Sequence, residues 1–291
     1  MTISRLDSLA MLAVAALIAL ALAPAATCAS PFATQVVSTT GYPVGGLYGD
    51  PQAVLGAPTS SFIDPFFNFG QNTTFNASLV NGPFNTDTLA NPVVTTVNVG
   101  QELIVSFDSA VIDNPLANNF GIDFIVFGNS FFQATGGSGA GGDVTPTDNM
   151  ENITLASFAG EQITVSVAQS LDGPWYTYTA PFADQLFPMQ AYEWSRDTDT
   201  WGDALDPTKP VDPSLTVGDF LGLSVADAID LYNGSMGGTG FDLAASGFAS
   251  IQYIKFTGTG GEIDAVAIVP EPATLSLLGG LMCLALGRRR H

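Results

Sequence analysis

Carboxylates and aromatic rings are the groups in this chain with chemistry to offer. The stretch RDTDTWGDALDP holds Asp197, Asp199, Asp203 and Asp206. Its D-x-D-x-x-G-D spacing suits Ca2+, which takes six to eight oxygen ligands and needs neither Cys nor His. It departs from an EF-hand loop, because the fifth position is Trp201 and the twelfth Thr208, where Asp/Asn and Glu belong. The alternative is a solvated acidic loop whose acids pair with Arg196 and Lys209. GEIDAVAIV sets Glu262 and Asp264 in an apolar run. A carboxylate there is costly unless it binds a metal or is hydrogen-bonded, for instance to loop amides. Five aromatics, Trp175, Tyr176, Tyr178, Trp194 and Trp201, supply a glycan-binding face if they form a flat exposed row, and core packing if they are buried.

Catalysis has less to draw on. The single histidine is His291, and the only cysteines are Cys28 and Cys283, all in the terminal segments. The body therefore lacks a His-dependent triad, a thiolate nucleophile and a Cys or His zinc site. Glycoside cleavage by two carboxylates stays open. No pair stands out among the 25 acids between Ser30 and Val269, and the expectation is a protein without enzymatic activity.

The charge balance narrows the partners. The 291 residues carry a net charge of −20. Between Ser30 and Val269 the 25 acids face only Arg196, Lys209 and Lys255, a net of −22. Nucleic-acid binding needs clustered Lys and Arg and is excluded. The chain is 46% hydrophobic, so it lacks the low hydrophobicity of disorder and the body is expected to fold. An acidic, lysine-poor surface serves solubility by charge repulsion, and it can also bind divalent cations.

The two ends read as addresses. Arg5, the apolar run Leu9 to Leu22 and the small residues of APAATCAS have the order of a secretory signal peptide. At the other end, Pro270-Glu271-Pro272 precedes an apolar segment containing Gly279 and Gly280, and then Arg288, Arg289 and Arg290. Ala273 to Leu286 holds 14 uncharged residues, about 21 Å of helix against about 30 Å of hydrocarbon. This tail resembles a PEP-CTERM sorting signal. The resemblance implies export, transient retention at the inner membrane through the C-terminal helix, and processing near the Pro-Glu-Pro by an exosortase-type protease. It places the product at the cell surface or in the extracellular matrix of a Gram-negative bacterium.

Stepping inward, the body shows strand signals. VNVGQELIVSF puts Leu103, Val105 and Phe107 on one face and Glu102, Ser106 and Asp108 on the other, with Ile104 the exception. GIDFIVFGN is a near-continuous apolar run from Ile122 to Phe127, as expected of a strand covered on both faces. QITVSVAQSLDGPWYTYT reads as a hairpin turning at Asp172-Gly173. IQYIKFTG and GEIDAVAIV close the set, ATGGSGAGGD is a loop, and Ser224 to Tyr232 is the one helix, with Ser224 as N-cap. Many short strands with turn punctuation predict a mainly β fold, an antiparallel β-sandwich of jelly-roll type.

SLDGPWYTY resembles a hairpin of discoidin-like, galactose-binding-type sandwiches. GEIDAVAIV resembles the last strand of calcium-stabilised carbohydrate-binding sandwiches. That second resemblance implies a Ca2+ site at Glu262 or Asp264, with Asp50 of YGDPQAVLGAP as the loop partner. More broadly, the body resembles exported PEP-CTERM cell-surface proteins, a likeness that implies no catalytic residues. The expected organisation is a signal peptide over 1–29, an extracellular sandwich over 30–269 and a sorting signal with a short transmembrane helix over 270–291. The expected role is non-enzymatic and exopolysaccharide-associated, with a carbohydrate-binding module and a polysaccharide-cleaving enzyme as alternatives.

Overall fold

The computed structural model describes residues 29–42, 48–64, 72–116 and 118–270. The expected signal peptide up to residue 28, the two expected terminal apolar helices, Glu271, Pro272, Arg288, Arg289 and Arg290 lie outside these residues. Pro270 is described and exposed. No helix among the described residues is long and apolar enough to cross a membrane.

The fold is mainly β with antiparallel strand pairing. In chain order the strands are β1 (Gln35–Thr40), β2 (Ser61–Asp64), β3 (Thr73–Asn76), β4 (Thr95–Val97), β5 (Glu102–Ile112), β6 (Phe124–Phe127), β7 (Phe131–Thr135) and β8 (Thr154–Ala159). They continue with β9 (Thr164–Ala168), β10 (Tyr176–Thr177), β11 (Tyr192–Ser195), β12 (Thr200–Ala204), β13 (Thr239–Phe241), β14 (Ser250–Thr257), β15 (Gly261–Ile263) and β16 (Ala265–Ile268). One sheet runs β1-β5-β14-β9-β10 and another β13-β6-β16. The pairs β2-β3, β4-β15, β7-β8 and β11-β12 stand beside them.

Side-chain alternation explains how β6 is buried on both faces. Phe124 and Val126 point into a core with Leu103, Val105, Val165, Val167, Ile254 and Phe256 of the five-stranded sheet. Ile125 and Phe127 point into a second core with Phe132, Met150, Leu155, Phe220 and Tyr232. Successive strand residues face opposite ways, so a continuous apolar run is what two covering layers require. Phe62, Phe75, Val93 and Val94 form a third, small cluster, with Phe84 packed on it.

Local departures from the sequence reading have physical causes. The turn at Gly173 forms, with its N–H donating to the Ser170 carbonyl at 3.0 Å. However, Tyr176 pairs with Val167, so the connection is longer than a two-residue hairpin loop. Helix Val225–Leu231 starts at Ser224, whose hydroxyl accepts from the Asp227 N–H. It is not the only helical segment. Val217–Phe220 forms a single turn, held by a reciprocal cap between Thr216 and Asp219.

Candidate functional site

Three short segments converge around one buried carboxylate. Strands β4 and β15 pair with Thr96 opposite Glu262. The Thr96 hydroxyl donates to Glu262 Oε1 at 2.9 Å, and the Thr96 N–H donates to the Tyr48 carbonyl at 2.8 Å. One residue of β4 therefore fixes both Tyr48 and Glu262. Asn129 and Ser130, between β6 and β7, donate their N–H groups to Asp184 Oδ1, each at 2.9 Å. The Glu262 N–H donates to Asp184 Oδ2 at 3.0 Å. Asp184 is 1% exposed and sits at φ 60°, a left-handed conformation that Asp tolerates better than most residues.

Missing side chains make this convergence possible. A Cβ on Gly128 would lie 2.3 Å from Asp184 Oδ1, and one on Gly82 would lie 2.1 Å from the Asn129 carbonyl oxygen. Both approaches are closer than any side chain allows, so glycine is required there.

Above this base opens a cavity of about 390 Å³, lined by Tyr48, Asn81, Phe84, Asn129, Phe131 and Glu262. Tyr48 and Phe131 are each 37% exposed. A smaller recess of about 160 Å³ shares Asn81 and Phe84 and is also lined by Asp64 and Asp143, so it neighbours the cleft. Hydrogen bonds among the described residues leave the side-chain amides of Asn81 and Asn129 unpartnered, and also Glu262 Oε2. Aromatic faces beside amides and a carboxylate are the mixture that a partly apolar, hydroxyl-rich ligand uses.

A larger cavity of about 660 Å³ lies between Phe120, Asp206, Lys209, Asp212, Tyr232 and Pro270. Several of its polar groups are turned on the protein itself. Asp206 Oδ1 accepts from the Thr208 N–H and hydroxyl. Asp212 Oδ1 does the same with Ser214, and Lys209 donates to the Asn233 carbonyl. The smaller cleft differs in setting two exposed aromatic rings, Tyr48 and Phe131, beside its polar groups, where the larger cavity has Phe120.

Glu161, Asp184 and Glu262 bring carboxylate oxygens within 4.8 Å of one another, and so do Asp113, Asp123 and Asp242. Burial, with Glu161 and Glu262 nearby, pushes the Asp184 carboxyl upward against the pull of its backbone donors. Burial, reinforced by Glu161, raises Glu262 as well. A proton or a cation relieves such crowding. As a Ca2+ donor, Asp184 is compromised, since Oδ1 already accepts two N–H groups and Oδ2 one. The other triad fits better. Asp123 accepts one N–H on each oxygen, from Asn114 at 2.9 Å and Leu243 at 2.7 Å, and keeps a lone pair on both.

The acids singled out in the sequence scatter. Glu262 joins Asp184 and Glu161, while Asp50, Asp264, Asp197, Asp199 and Asp203 belong to neither triad. Asp50 caps a helical turn by accepting from the Gln52 N–H at 2.9 Å. Asp264 is 2% exposed and accepts from the Thr59 N–H at 2.8 Å and hydroxyl at 2.6 Å. That is the loop-amide arrangement weighed for it. Asp197 and Asp199 occupy the turn between β11 and β12, and Asp203 is exposed on β12. Arg196 does not pair with them. It reaches Asp227 at 2.9 Å and Asp230 at 2.8 Å, on one helix face.

The five aromatics do not make one flat face. Tyr178 is buried, and the other four are half-buried. Trp194 and Trp201 meet edge to face at 5.2 Å beside one core. Tyr176 and Tyr178 meet edge to face at 5.1 Å beside the other. Trp175 stacks under Lys255, whose Nζ lies 4.8 Å from the ring centroid. The exposed rings at the cleft, Tyr48 and Phe131, were not singled out in the sequence. The only local signal was Phe131 beside Phe132, an exposed aromatic next to a buried one.

No protein-family model, no curated protein and no solved structure matches this chain, so the chemistry of the site is read from its own geometry.

Proposed function

We propose that this is an exported, non-enzymatic cell-surface or extracellular-matrix protein that binds glycan in the Tyr48–Phe131 cleft. The carrying observation is two exposed aromatic rings beside the unpartnered amides of Asn81 and Asn129 and the free oxygen of Glu262. Sugar rings present C–H faces to aromatics and hydroxyls to amides and carboxylates, and this cleft holds both kinds of group. The fold in this reading is a β-sandwich of jelly-roll, galactose-binding-like type. The shared core between the five-stranded and three-stranded sheets supports it.

The sorting part of the reading rests on the two terminal segments. The N-terminal segment directs export. The Pro270-Glu271-Pro272 tail is held at the inner membrane, processed by an exosortase-type protease, and the product becomes associated with exopolysaccharide. Ca2+ is the cofactor of this reading, as a structural ion at Asp113, Asp123 and Asp242. Binding is favoured over cleavage because Glu262 is the one carboxylate lining the 390 Å³ cavity among the described residues. A glycosidase needs both carboxylates against the sugar. The test is a glycan-binding screen of the purified chain beside a variant lacking the Tyr48 and Phe131 rings.

A further inference from the structure

Resting on the reading of the cleft as a glycan site, we infer that its ligand is a saccharide bearing free amino groups, with an ammonium seated against Glu262. The ionisable groups lining the cleft are Glu262 and Tyr48, with Asp64 and Asp143 in the neighbouring recess, and neither Lys nor Arg lines either one among the described residues. Glu262 Oε1 is held by Thr96, which leaves Oε2 for a ligand. Behind Glu262 stand Glu161 and Asp184, with carboxylate oxygens of all three within 4.8 Å. A uronate placed here would bring its own negative charge against Glu262 in a partly desolvated group of acids, which is strongly unfavourable.

An ammonium reverses each of these terms. It carries three donors, and the cleft offers three acceptors: Glu262 Oε2 and the amide oxygens of Asn81 and Asn129. The exposed faces of Tyr48 and Phe131 add attraction for a cation as well as for the sugar ring. A neutral sugar would fill the same space but leave the carboxylate charge uncompensated. The net charge of −20 also draws a polycation toward the whole surface. Local recognition therefore has to be separated from that general field.

The experiment is calorimetric titration of the full chain, at about 0.15 M and about 0.5 M salt to screen the field. The ligands are a β-1,4-linked glucosamine oligomer, its N-acetylated counterpart, a cello-oligosaccharide and an oligouronate of equal length. The variants are Glu262→Gln, Tyr48→Ala and, as a control on the exposed face of β12, Asp203→Asn. The expected result is at least tenfold tighter binding of the amine-bearing oligomer than of the other three at the higher salt. Glu262→Gln should abolish that preference, Asp203→Asn should leave it, and Tyr48→Ala should weaken binding of the amine-bearing oligomer. The ligand comparison needs no variant and stands even where Glu262→Gln does not fold. Equal or tighter binding of the acetylated, neutral or uronate oligomer overturns the amino-sugar inference and leaves the glycan site standing. A preference that survives Glu262→Gln also overturns it. Binding of no saccharide overturns the glycan site itself.

Discussion

Asp184 accepts the Glu262 N–H at 3.0 Å, and through its other oxygen it holds the N–H groups of Asn129 and Ser130 at 2.9 Å each. One buried side chain thus sets the distance between two cleft-lining residues, Glu262 and Asn129. Asp184→Ala leaves three backbone donors without an acceptor. Each unsatisfied buried donor costs about 1–3 kcal/mol, so the variant should lose at least about 3 kcal/mol in urea unfolding, together with glycan affinity. A loss under about 0.5 kcal/mol, the size of an ordinary surface change, would contradict this role.

Gly128 and Gly82 should tolerate no side chain. A Cβ on Gly128 meets Asp184 Oδ1 at 2.3 Å and the Glu262 carbonyl oxygen at 2.8 Å; on Gly82 it meets the Asn129 carbonyl oxygen at 2.1 Å. Backbone has to move in each case, at a cost of about 1–3 kcal/mol as for other overpacked sites. Gly56→Ala has open space around it but positive φ, so it measures conformational strain alone. Gly128→Ala and Gly82→Ala should both melt lower than Gly56→Ala.

Stability should fall as pH rises from about 4 to about 7. Burial pushes the Asp264 carboxyl up to about 7. A group whose pKa is raised on folding stabilises the fold fully below its unfolded value, about 3.9 for Asp, and that contribution is lost as pH rises through the folded value. Burial also raises Asp123 and Asp184, so they act with the same sign. Asp264→Asn mimics the protonated acid, with Oδ1 accepting from the Thr59 N–H and the amide donating to the Thr59 hydroxyl. Urea unfolding across this range should show a flatter pH profile for the variant. Identical profiles for the variant and the parent chain would contradict the assignment.

Calcium binding should raise the melting temperature relative to EDTA. Asp123→Asn, at the centre of the Asp113, Asp123 and Asp242 group, should remove that difference, and Glu262→Gln should leave it. Equal melting temperatures with Ca2+ and with EDTA would eliminate the cofactor from the account.

Local pattern carried the strands and long-range pairing carried the cleft. The apolar run Ile122 to Phe127 was readable because alternate side chains of β6 feed two different cores. The cost of a carboxylate in an apolar strand flagged Asp264, and Thr59 resolves it. The Ser224 cap was readable because its partner Asp227 is three residues away. The cleft was not readable. Thr96 meets Glu262 across 166 positions, and Asp184 meets Asn129 across 55. No spacing rule reaches that far. Arg196 likewise left its neighbouring acids for Asp227 and Asp230, because a helix face presents both carboxylates at once.

The most direct measurement is a glycan-array comparison of the full chain with a Tyr48→Ala, Phe131→Ala double variant whose melting temperature matches the parent. The account predicts saccharide binding by the parent chain and at least a tenfold loss in the variant. Binding of no glycan by the parent chain, or equal binding by both, would contradict it.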